Sequence, residues 1–117
     1  MSWTERSAAN LLPLSEERSS LKVALREWVY SGETYDLIQP VETCELCEHP
    51  DIRYQFKIVN KLNGSELLVG SECITKFGIL AVGESGEFLN QAESRRKVHQ
   101  DRRFLIEKGR RKRLVEI

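Results

Sequence analysis

The sequence has no apolar run near the roughly 20 residues that cross a bilayer, and its N-terminal stretch lacks a basic segment followed by an apolar one. A membrane protein is thereby disfavoured, and the default expectation is a cytoplasmic one. Proline is scarce at three residues, and the cysteines, also three, are odd in number, so they cannot all pair within one chain. Without an export signal, a C-x2-C pair points to metal binding or redox chemistry ahead of a disulfide framework. Sequence motifs of catalysis are missing too: there is no G-x-G-x-x-G, P-loop, G-x-S-x-G or H-E-x-x-H. The expectation is a protein that is not an enzyme.

What remains is a 117-residue chain, enough for one domain, with 40 % hydrophobic and 31 % charged residues. Its net charge of zero conceals a separation. Between Arg95 and Arg113 ten Lys or Arg face two acids, an excess of eight positive charges, and the rest of the chain carries the matching excess of eight negative charges. Partners meet an acidic body and a basic tail.

Along the chain, Ser2 and Glu5 have capping-box spacing for a short helix that closes before Pro13. A longer helix is expected from a Ser15 cap to Tyr30, stopped by Gly32, with Leu21, Ala24, Leu25, Trp28 and Val29 on its core face. "TYDLIQPVE", broken by Pro40, suits an edge strand or an extended lead-in to the cysteines. "RYQFKIVN" alternates as a half-buried strand, Asn63-Gly64 supplies a turn, and "ELLVG" returns as its hairpin partner. Ser71 is placed to cap a short helix ending at Gly78. After a "GESGE" connection, residues 88–108 favour a helix whose only aliphatic residue between Ala92 and Phe104 is Val98. Such a helix either projects from the body or lies against something charged.

Cys44, Cys47 and Cys73 have the spacing C-x2-C-x25-C: a knuckle, a hairpin, and a third thiolate in the first turn of a helix. Thiolates are soft ligands, so Zn2+ is the expected occupant. A second pair would put the fourth ligand at Lys76, which cannot serve. His49 is the first candidate instead, His99 the second, and Asp51 or Glu72 could donate an oxygen. Three buried, reduced cysteines packing as small hydrophobes are the competing explanation.

The run "CELCEHPDIRYQFKIVNKLNGSELLVGSECITKF", with the preceding "REWVYSGETYDL", resembles a family of small, largely uncharacterised proteins of bacteria and their phages. The resemblance covers roughly residues 25–78. It implies a zinc-ribbon or treble-clef-like core with Cys44, Cys47 and Cys73 as ligands, and no established activity. The expected fold class is α+β: a zinc-stabilised domain over 1–82 with an N-terminal amphipathic helix, followed by a basic helical extension over 83–117.

Two functions compete for the tail. In one, Arg95, Arg96, Lys97, Arg102, Arg103, Lys108, Arg110, Arg111, Lys112 and Arg113 contact the phosphates of DNA or RNA, releasing counterions. In the other, the helix docks on an acidic protein surface, as an adaptor or inhibitor. The stripe is uneven: 95, 99, 102 and 103 share a face that 96, 97 and 110 do not all join.

Overall fold

The computed structural model describes residues 2–115, with side chains to Arg110. Helix α1 (Trp3–Leu11) begins as the capping-box spacing implies: the Ser2 hydroxyl accepts the Glu5 amide at 3.1 Å. A 3-10 turn through Pro13 follows. The sheet has strand order β3-β2-β1-β4, built from β1 (Trp28–Asp36), β2 (Tyr54–Asn60), β3 (Glu66–Val69) and β4 (Leu80–Ala81). Strands β1, β2 and β3 pair antiparallel, whereas β4 runs parallel to β1. Three further helices complete the α+β fold: α2 (Leu21–Ala24), α3 (Ser71–Phe77) and α4 (Gln91–Val115). Among the described residues no helix is long and apolar enough to cross a membrane.

The expected helix from Ser15 to Tyr30 is corrected. Only the four residues of α2 and a 3-10 turn over Leu25–Glu27 are helical, and Trp28 opens a strand. Helical spacing placed Trp28 and Val29 on the core side, but an aromatic and β-branched run serves a buried strand equally well. Glu27 makes the difference. Its nearly buried carboxylate accepts the amides of Glu16 at 2.7 Å and Glu17 at 2.8 Å, so those amides are not the start of a helix. Ser15 is likewise no cap. Its hydroxyl donates to the Leu11 carbonyl at 2.7 Å and accepts the indole N–H of Trp28 at 2.9 Å.

Gly32 does not end an element either. It sits inside β1 at φ +89°, where the register with β2 slips between Tyr30 and Thr34, a bulge that suits glycine. Strand β1 thereby absorbs the start of "TYDLIQPVE" and is central, flanked by β2 and β4, not an edge. The hairpin is where the spacing put it, with Gly64 at φ +78° in its turn. Gly70, not Ser71, precedes α3 as its cap residue.

Desolvation alone would push the Glu27 carboxyl up. The side-chain amide of Asn60, with the backbone N–H of Glu17 and Glu16, outweighs it and holds the group below the ordinary carboxylate value. A lowered folded value stabilises the protein above the unfolded one, and this stability is lost as pH falls through the folded value. Glu27→Gln is therefore expected to lower the melting temperature at neutral pH, with the gap to wild type closing below about pH 4, the ordinary carboxylate range. Melting curves across pH check this; a gap independent of pH would remove the charge from the explanation.

Helix α4 lies on the body. Asn90 caps it, its side-chain oxygen accepting the Glu93 amide at 2.8 Å. Ser94, Val98 and Leu105, at helical spacing, are buried, and Val98 belongs to the same core as Trp28, Tyr30, Phe56 and Leu46. The Ser94 hydroxyl accepts the Ala81 amide at 2.8 Å. The Tyr30 hydroxyl donates to Asp101 at 2.6 Å, and Lys97 reaches the same carboxylate at 3.2 Å. The helix therefore does not project, and what it lies against is mainly apolar: Val98 enters the core of the preceding body and Leu89 packs against it.

Candidate metal centre

Two short devices build the cysteine site. The first is the turn over 44–49, in which the Glu48 amide reaches the Cys44 carbonyl and the Cys44 amide reaches the His49 carbonyl, both at 2.9 Å. Glu48, directly after Cys47, has φ +65°, a left-handed conformation uncommon for a side chain of that size. Leu46 at the tip is buried in the core. The second device is α3, whose third residue is Cys73. The hairpin joins the two, and Glu45 ties them: its backbone N–H donates to the Leu68 carbonyl at 3.0 Å, and its carboxylate accepts the Leu68 amide at 2.6 Å.

All three sulfurs are buried and unoxidised, and they lie within 4.8 Å of one another, with Cys44 Sγ and Cys73 Sγ 3.6 Å apart. Tetrahedral thiolates about 2.3 Å from a zinc-sized ion stand roughly 3.8 Å from each other. The spacing thus matches ligands around a common centre, and the cluster could hold a metal ion. Electrostatics agree. The Cys73 thiol lowers the Cys44 thiol well below its ordinary value; burial opposes this, and the amides of Cys47, Gly70 and Leu46 reinforce it. Cys73 is pushed strongly upward, first by that same contact with Cys44 and then by burial. Two thiols this close resist ionising together, and a cation between the sulfurs would favour the thiolate form of both.

The candidate fourth ligands fall differently. His49 is exposed, outside the group of three sulfurs, and its Nδ1 lies 2.8 Å from the Pro50 carbonyl. A carbonyl only accepts, so in this contact Nδ1 is the donor, which leaves Nε2 as the nitrogen free to face a metal. His49, Asp51 and Glu72 line a cleft of about 340 Å³ that opens beside the three cysteines; His99, exposed on α4, does not. Lys76, at the position where a second pair would place a ligand, puts its ammonium 4.9 Å from the Trp3 ring centre.

Sequence reasoning missed the residues that clamp the knuckle from α1. The Arg6 guanidinium donates to the Cys47 carbonyl at 3.0 Å, and the Asn10 amide donates to the Leu46 carbonyl at 2.8 Å and the Glu48 carboxylate at 3.0 Å. They are 41 and 36 residues from their partners, and nothing in their local spacing announces the contact.

The basic residues divide. Arg95, Arg96, Arg102, Arg103, Lys108 and Arg110 are exposed on α4, with Arg102 5.6 Å over the Tyr54 ring at the cleft. Lys97 differs from them, half-buried in its pair with Asp101. The side chains of Arg111, Lys112 and Arg113 lie outside the described residues. Tyr54 is half-buried and Phe56 buried, and both pack with the core. The chain matches no model of a known protein family, no curated protein and no solved structure.

Proposed function

We propose that the protein is a small nucleic-acid-binding module in which a structural zinc pins a treble-clef-like core and α4 presents the contact surface to phosphates. The observation that carries this reading is the two-sidedness of α4. Burial of Ser94, Val98 and Leu105 fixes the helix, so Arg95, Arg96, Arg103 and Arg110 stand on a rigid rod. At 1.5 Å per residue these positions extend over about 22 Å, room for several phosphates. The order of knuckle, hairpin and helix supports the treble-clef comparison and the resemblance to the bacterial and phage family. The three-thiolate donor set supports zinc, with His49 through Nε2 as fourth ligand. Free thiols suit a reducing cytoplasm. The metal has a structural task in this reading and no catalytic one, since three thiolates blunt the acidity of any bound water.

Phe104, 63 % exposed beside Arg103, favours a second reading in which α4 docks on an acidic protein partner. Titrations against single- and double-stranded DNA and RNA at two salt concentrations separate the two. Replacing Arg95, Arg96, Arg103 and Arg110 by Gln is expected to leave the melting temperature within a degree or two, because all four are exposed. It should weaken binding by about 100-fold at low salt and make the slope of log K against log salt shallower by about 3, since each phosphate contact contributes about 0.7 to 0.9. Undetectable binding by the wild-type protein at low salt would sink the nucleic-acid reading and leave protein docking.

A further inference from the structure

Away from both α4's outer face and the cysteines, a groove of about 660 Å³ runs between α2, the turn after β2, the end of α3 and the start of α4. Lys22, Arg26 and Lys61 line it, and no carboxylate does. That is unexpected on a body with an excess of eight negative charges. All three cations are exposed, and among the described residues none has an acidic partner within ion-pair distance. Phe88 stands at the same groove, 58 % exposed, with the Lys61 ammonium 4.8 Å from its ring centre.

The groove is continuous with α4. Gly78 and Gln91 line it and also line the adjoining hollow that holds Arg95. At its other end Arg26 and Lys61 border a hollow where Glu16, Glu17 and Glu27 stand, so the cationic surface stops there. The Glu27 carboxylate is already held by backbone amides and Asn60.

We propose that this groove is a second contact site for a single-stranded polynucleotide. Lys22, Arg26 and Lys61 take successive phosphates and Phe88 stacks a base, extending the track that begins at Arg95. The inference rests on the nucleic-acid reading of α4 and adds to it a site, a direction and a strandedness. Three cations without an acidic partner beside an exposed ring in a concavity suit a flexible strand, whose bases are free to turn onto the ring, better than a stiff duplex. An acidic end to the groove sets where the strand must leave.

The test uses the full chain with labelled oligothymidylate, oligouridylate and a duplex of equal length, titrated over a salt series. The triple variant K22Q/R26Q/K61Q is expected to fold as the wild type, to bind single strands more weakly, and to lose about 2 from the salt slope, three contacts at about 0.7 each. Phe88→Ala should lose roughly tenfold in single-strand affinity with the slope unchanged, because stacking releases no counterions. If the triple variant keeps the wild-type slope while the four-arginine variant loses it, the groove is overturned and the α4 reading stands. Equal losses for duplex and single strand would overturn the strandedness. A wild-type protein that binds none of the probes would remove both readings together.

Discussion

Cys44→Ser is expected to yield a protein that retains no zinc and does not fold. Cys44 is tied to both sides of the cluster: its sulfur lies 3.6 Å from that of Cys73 and accepts the Gly70 amide at 3.4 Å. A hydroxyl is a hard, weakly acidic ligand and cannot replace a thiolate on zinc. A structural zinc contributes on the order of 10 kcal/mol to folding, comparable to the whole stability of a domain this size, about 5 to 15 kcal/mol. On the proposed zinc reading the apolar core near the site depends on the metal as well, since Leu46 and Ile74 are sequence neighbours of Cys47 and Cys73 and buried with them. Metal analysis of the purified protein and thermal melts with and without a chelator give the readout. A wild-type melting temperature indifferent to chelation would leave three packed thiols and no metal. If His49 is the fourth zinc ligand, as proposed, His49→Ala is expected to fold, because the ring is exposed, and to release zinc to a chelator faster. Unchanged release would move the assignment to Asp51 or Glu72, which line the same cleft.

Truncation after Asn90 is expected to unfold the remainder. The cut removes buried Val98 and Leu105, the Ser94 hydroxyl that satisfies the Ala81 amide, and the Asp101 carboxylate that accepts the Tyr30 hydroxyl. Burying two aliphatic side chains is worth roughly 1.5 to 3 kcal/mol each, and each hydrogen bond about 1 kcal/mol, for a loss on the order of 5 to 8 kcal/mol. That equals or exceeds what a marginal domain holds in reserve. Circular dichroism and proteolysis of the shortened chain check it. A cooperative melt near that of the full protein would show α4 to be an appendage and not part of the core. Deleting the tail is therefore a poor probe of binding, and neutralising exposed arginines is the sounder one.

The hairpin was legible because alternation in "RYQFKIVN" and the turn at Asn63-Gly64 are both local, and the strands pair where those signals put them. Helix α1 was legible for the same reason, its cap and its stop lying within a dozen residues. The segment from Ser15 to Tyr30 was misread because its apolar positions fit a helix and a buried strand alike. What settles the matter is Glu27, whose carboxylate takes amides from ten and eleven residues upstream. Strand β4 is two residues long and gained no signal of its own; it exists because β1 offers a free edge beside it.

By itself the sequence determined the chemistry available: three soft ligands at knuckle-and-helix spacing, a hairpin between them, and a separation of charge between body and tail. These follow from residue type and short-range spacing, which the chain carries wherever it goes. Only the tertiary structure decided which of those groups are free to act. It brought the three sulfurs together, set Arg6 and Asn10 on the knuckle, and committed Lys97 to Asp101. It also brought Lys61 into one groove with Lys22 and Arg26, which lie far from it along the chain. The physical reason is that a side chain's partners and exposure are set by what folds over it, often dozens of residues away, and no local pattern encodes that.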